Sequence, residues 1–167
     1  MKRLLVITLA GLALFGFQTF RGDFSGNWAL DLQNSSHLAP SFKMVKSYIM
    51  QVRVANDSMA IFTRMKGPDD KEVVFPPTMF RCDSTESFRD DSLRGVKRWI
   101  RAWWGARQTL TIFNRVVQTK GTTVLEYTQT DVWQAKSPDT LLVSTTKRFE
   151  HNDSTAQEQR LFSRVTK

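Results

Sequence analysis

From about residue 97 to residue 166 the chain is a succession of β-patterned runs cut by turn chemistry, and this constrains its fold more than any other feature. Runs near 97–104, 108–118, 122–135, 140–150 and 156–166 are separated by Gly105-Ala106-Arg107, Lys120-Gly121, Ser137-Pro138-Asp139 and Asn152-Asp153-Ser154. Consecutive hairpins of this kind make an up-and-down meander. The first half carries the same signal less densely. In Trp28-Ala29-Leu30-Asp31-Leu32 one parity is wholly apolar, as a half-buried strand requires. Tyr48, Met50, Val52 and Val54 share one parity, with Ser47, Gln51 and Arg53 on the other.

Breakers set the bounds of these early strands. Asn34-Ser35-Ser36 ends the first, Pro40 keeps the next stretch irregular, and a short helix between Gln33 and Met44 is compatible with it. Asn56-Asp57-Ser58 turns the second strand back into residues 59–65, and Gly67-Pro68-Asp69-Asp70 makes the next turn. Val73-Val74-Phe75 can pair only as far as Pro76-Pro77, since two prolines remove two ladder donors. The polar stretch from Cys82 to Arg94 reads as a long loop. The expected fold is all-β, a single antiparallel up-and-down barrel of about 8–9 strands, because closure removes exposed sheet edges.

The N-terminus reads differently. Lys2 and Arg3 precede an apolar run from Leu4 to Phe17, whose 14 residues would span only about 21 Å as a helix. The hydrocarbon core is roughly 30 Å thick, so a cleaved secretory signal over 1–18 is expected rather than an anchor. Cleavage after Gly16 and after Gln18 is equally arguable, and no cysteine directly follows the run to carry a lipid. The domain is then 19–167, long enough for one sizeable core. Export to the periplasm or the extracellular space follows. The single cysteine, Cys82, cannot form an internal disulfide, so the core must hold the fold. The formal net charge of +8 falls to +6 when Lys2 and Arg3 are removed. Such a surplus keeps a protein soluble and favours anionic surfaces, an envelope surface among them.

The opening Phe24-Ser25-Gly26-Asn27-Trp28-Ala29-Leu30-Asp31 resembles the start of small secreted bacterial proteins with a lipocalin-like domain. Trp103-Trp104-Gly105 followed by Leu110-Thr111-Ile112 is similar to that family's tryptophan-glycine hairpin. Ser137-Pro138-Asp139 is similar to its serine-x-aspartate hairpin, and Phe162-Ser163-Arg164 to its aromatic-x-Arg ending. The hairpin departs from the family in having Thr140 after Asp139 where glycine is usual, which leaves the turn type open but not the strand pairing. Residues 33–95 match in pattern only. The resemblance implies a lipocalin-like barrel whose Trp28 packs under Arg164 at a closed end. That role is structural.

Catalytic and metal signals are weak. His37 and His151 are the only histidines and share no ligand spacing, so no metal is expected. No serine sits in a Gly-x-Ser-x-Gly elbow. Asp69-Asp70 and Asp90-Asp91 are adjacent acids in polar turns, where paired catalytic acids would have to converge across a cleft. Arg21-Gly22-Asp23 is an integrin-type tripeptide that reads as chance. The segment from Arg94 to Arg107 mixes Arg94, Lys97, Arg98, Arg101 and Arg107 with Trp99, Trp103 and Trp104. As a helix it would be basic and amphipathic, with Val96, Trp99, Ile100 and Trp103 on one face. As a strand it puts Lys97, Trp99, Arg101 and Trp103 on one face, and Arg98 alone breaks an otherwise apolar opposite face. Gly105 and the following Leu110-Thr111-Ile112 favour the strand. Nucleic acid is not expected as a partner of an exported chain.

The leading expectation is a monomeric, non-catalytic binding protein without cofactor, holding a small hydrophobic or amphipathic ligand. Inward-pointing parities would supply the pocket, with Tyr48, Met50, Val52, Leu125 and Tyr127 as ligand-binding residues and Leu30 beneath them. The alternative is an envelope structural or interaction protein with a packed barrel, presenting its basic Trp/Arg-rich surface to an anionic partner. An enzyme ranks third. A cavity of roughly 300 Å³ or more would point to binding, and a packed interior to the alternative.

Overall fold

The structure, a computed structural model, describes residues 23–106 and 108–165. The expected signal segment 1–18, the Arg21-Gly22 part of the tripeptide, and Arg107 lie outside the described residues. Alternation becomes strand along the whole chain: β1 (Gly26–Ser36), β2 (Ser47–Ala55), β3 (Ser58–Lys66), β4 (Glu72–Val74), β5 (Thr78–Arg81), β6 (Ser87–Asp91), β7 (Val96–Trp104), β8 (Thr109–Lys120), β9 (Thr123–Ser137), β10 (Thr140–Phe149) and β11 (Thr155–Arg164). A 3₁₀ turn over Pro40–Met44 fills the irregular link after β1, with proline at its start, where no amide donor is needed.

All strands join one antiparallel sheet in the order β4-β3-β2-β1-β11-β10-β9-β8-β7-β6, with β5 pairing β3 beside β4. Neighbours in that order are consecutive in the chain except β1 and β11, so the first and last strands close the meander on one side. The Ser137–Thr140 hairpin pairs β9 with β10 as expected, and the missing glycine is accommodated by a register shift at Thr140/Leu141.

Three expectations need correction. Among the described residues the sheet has eleven strands rather than eight or nine. The stretch from Cys82 to Arg94 is not a loop but holds β6 and a 3₁₀ turn over Ser92–Arg94. Its inward parity is Ser87, Arg89 and Asp91, so this edge strand has no apolar face for a hydropathy pattern to mark. Nor is the sheet closed into a barrel. Its order ends at β4 and β6, which do not pair. The prolines at 76 and 77 divide the edge of β3 between two short strands, β4 on Arg64–Lys66 and β5 on Ser58–Ile61. Beyond β5 the chain crosses toward β7 with one bridge, Asp83 to Trp103, and one bond from Ser84 N–H to Ala102 C=O at 2.8 Å. A seam therefore lies between the β3–β5 and β6–β7 flanks.

One end of the curled sheet is a dense apolar plug. Phe24 is fully buried, stacked on Trp104 at a centroid distance of 5.7 Å and edge-on to Trp133 at 5.9 Å. Trp28 donates from Nε1 to the carbonyl of Phe24 at 2.8 Å. Arg164 lies opposite Trp28 in the β1–β11 register, its guanidinium 4.5 Å from the indole centroid. Leu110, Leu141, Met59 and Val52 complete this end. Leu30, opposite Phe162, is buried just above it.

Candidate functional site

Inward-facing rows above the apolar plug surround a cavity of about 200 Å³. Its walls come from β2, β3, β5 and from each of β7 to β11, so the sheet curls around it although its ladder stays open. The apolar part includes Met50, Ile61, Phe80, Ile100, Ile112, Val143 and Phe162. Arg98, the break in an apolar face, lines the cavity too, and sequence reasoning missed the rest of the polar part: Asn114, Gln129, Asp131 and Arg160 also face inward.

These residues form two groups with different degrees of compensation. In the first, Thr145 sits opposite Asp131 across β9–β10 and donates its hydroxyl to Asp131 Oδ1 at 2.5 Å. Arg160 donates from Nη2 to the same Thr145 oxygen at 2.6 Å and lies 3.4 Å from Asp131 Oδ1. Glu158 adds a second carboxylate, with Oε1 3.2 Å from Arg160 Nε, close enough to pair though not aligned as a hydrogen bond. Gln129 caps Asp131 from its amide at 2.8 and 3.1 Å. The side chains of Arg160, Asp131 and Glu158 are all less than one-sixth exposed. Removing one partner from such a group costs about 3–5 kcal/mol, because it strands a buried charge. Glu158 also accepts from the Ala39 amide at 3.3 Å, tying the β1–β2 link to this interior.

The second group is Arg98 and Tyr127. The register puts Arg98 opposite Val116 and Val116 opposite Tyr127, so both lie on one inward row toward the end away from Trp28. Burial pushes the Tyr127 phenol up from its ordinary pKa, while the positive charge of Arg98 pulls it partly back. Lys147, on the neighbouring row, has its ammonium 5.8 Å from the Tyr127 ring centroid. Arg98 also borders a groove of about 410 Å³ along the seam, between Phe75 and Pro76 on one flank and Arg89 to Val96 on the other.

Of the residues expected to bind ligand, Tyr48, Met50 and Tyr127 line the cavity. Val52 is fully buried one turn of the parity further in, within the core that closes the other end. Leu125 shares the inward parity of β9 but does not border the cavity. The structure thus brings three of the five together. The parity rule held the missing signal, since Gln129 and Asp131 stand between Tyr127 and Trp133 on β9, and Asn114 stands between Ile112 and Val116 on β8.

The Arg94–Arg107 segment is strand from Val96 onward, the second of the two readings offered for it. Trp99, Arg101, Trp103 and Lys97 face outward and Arg98 inward. Trp104 belongs to the apolar plug. Outside, the Arg115 guanidinium covers Trp99 at 4.4 Å and Phe88 flanks it at 5.1 Å. Among the described residues no cluster of His, Cys, Asp and Glu could hold a metal ion. Comparison with protein-family models, with curated proteins and with solved structures finds no match.

Proposed function

We propose that this chain is an exported, non-catalytic, lipocalin-like binding protein that holds a small amphipathic molecule inside its curled sheet. The observation that carries the reading is the cavity of about 200 Å³, walled by inward residues of eight strands that are partly apolar and partly polar. A concave space where a few polar groups converge beside apolar side chains is the ordinary form of a small-molecule site. This cavity falls short of the roughly 300 Å³ expected above to point to binding, which is the lower bound of pockets for drug-sized ligands. The occupant is accordingly compact or thin, and the adjoining seam groove extends the space available to it. The Gly26-Asn27-Trp28 opening, with Trp28 under Arg164, supports the lipocalin-like assignment and the view of the seamed sheet as an interrupted barrel. The charged and apolar N-terminal run supports export.

A second reading rests on the outer face of β6 and β7, where Phe88 and Trp103 are more than one-third exposed beside Arg101 and Lys97. There the chain would be an envelope interaction protein meeting an anionic surface.

One titration separates the two. A fatty-acid-like fluorescent probe should bind with one-to-one stoichiometry and micromolar affinity, about −8 kcal/mol. Met50→Trp should fill the cavity and abolish that binding with little change in stability. In a packed interior the same substitution would cost roughly 1–3 kcal/mol through overpacking, with no probe binding to lose. That result would turn the assignment to the outer surface.

A further inference from the structure

Among the described residues, Arg98 is the cation on the cavity wall that faces no carboxylate; Lys147, also on an inward row, lies over the Tyr127 ring and does not border the cavity. Arg160 faces two carboxylates, Asp131 and Glu158, and Arg164 donates to the carbonyls of Ser25 and Pro138 at 2.7 and 2.8 Å. Beside the seam, Arg89 donates to the Pro77 carbonyl at 2.8 Å, and Arg94 lies 3.7 Å from Asp91. Arg98 has no ion-pair partner among the described residues, and its Nε is buried without an acceptor. The half-buried guanidinium thus leaves one N–H donor unsatisfied, which is a cost to the folded protein. Natural cores avoid such costs unless the group has a use when a ligand arrives.

Its position indicates the use. Arg98 and Thr78 border both the interior cavity and the seam groove, so Arg98 stands where the groove opens into the cavity. Below it Ile100, Ile112 and Val143 give the wall an apolar strip, with Asn114 opposite Ile100 and Asp131, engaged by Thr145 and Gln129, opposite Ile112. Two strands away on the same row is Tyr127, whose phenol is a hydrogen-bond donor. We infer that the occupant is an anionic amphiphile with a single carboxylate, which enters by the seam, pairs its head-group with the Arg98 guanidinium and lays its aliphatic chain along the apolar wall. One planar guanidinium fork matches the two oxygens of one carboxylate. A more highly charged head-group would call for a second free cation on the cavity wall; Arg160, Arg89 and Arg94 are already engaged, and Lys147 lies over the Tyr127 ring without bordering the cavity.

This inference rests on the binding reading above, and its test separates the two. Octanoate, 1-octanol and octylammonium share one chain length and differ in head-group charge. Calorimetric or NMR titration of the full chain should find octanoate bound at least about tenfold more tightly than octanol, with octylammonium weakest. In Arg98→Met the octanoate-to-octanol preference should collapse to about one, and Arg98→Lys should restore part of it, as a point charge without the fork. Thermal melts should find Arg98→Met at least as stable as the parent, since an unsatisfied donor is lost. Arg98→Gln serves as the comparison if the methionine variant folds poorly. Equal binding of octanoate and octanol by the parent, or a carboxylate preference that survives loss of Arg98, would overturn the inference and leave the cavity reading standing. No binding of any of the three amphiphiles would overturn both.

Discussion

Gly26 and Arg164 constrain one another across the β1–β11 junction. Gly26 adopts φ +136, a backbone region that side chains rarely allow, and a Cβ there would meet Arg164 Nη1 at 2.6 Å. The glycine therefore gives the arginine room to lie over Trp28 and to reach the Ser25 carbonyl. Trp28→Ala should cost about 3–5 kcal/mol, as large aromatic truncations do. Arg164→Ala should cost less, and the double variant less than the sum, because the two side chains touch. A double-mutant cycle by chemical denaturation checks this, and strictly additive losses would show that the stacking contributes nothing. The pairing was legible in the sequence through the Gly-x-Trp opening and the aromatic-x-Arg ending. Arg98 was legible too, as the residue that breaks an apolar face. What escaped was the Asp131–Thr145–Arg160 group. Its members come from three strands, and only the register of β9, β10 and β11 reveals that an acid, a hydroxyl and a base meet.

At the level of elements, the hairpins from β7 to β11 follow from alternation and turn residues alone, and the structure reproduces them with the turns where the sequence marks them. The seam does not follow in that way. Pro76-Pro77 announced where β4 must stop, but pattern could not reveal β5 and β6. They are short strands: β5 has four residues and a single buried position, Phe80, too few to set a period, and the inward face of β6 is not apolar. The same facts predict uneven stability. β4 is exposed at all three residues, and β6 pairs only with β7, whereas β8, β9 and β10 are each paired on both sides along most of their length. Hydrogen exchange should find the amides of 72–91 open well before those of 110–118 and 141–147. Uniform protection across both sets would mean that the seam is no weaker than the continuous sheet, and so is not a route to the interior.

At the scale of the molecule, the all-β class and the antiparallel meander were readable before any coordinates, because both depend on periodicity and short links. The shape of the interior was not. Whether inward rows fill or enclose space depends on side-chain lengths meeting across a curved sheet. Here the two ends differ: tryptophans and phenylalanines crowd the end at Trp28, while Thr63, Thr78, Asn114 and Gln129 leave the middle less filled. The central claim is that this space receives a ligand, and methionine provides the most direct probe of it. Met50 is buried on the cavity wall, whereas Met44 and Met79 are more than half exposed on the outside. NMR titration of protein labelled at its methionine methyl groups with octanoate should move the Met50 signal to saturation at one equivalent and leave those of Met44 and Met79 in place. Saturable shifts at Met44 or Met79 with Met50 unmoved would contradict the account, because the amphiphile would then be held on the outer surface and the interior would have no part in binding it.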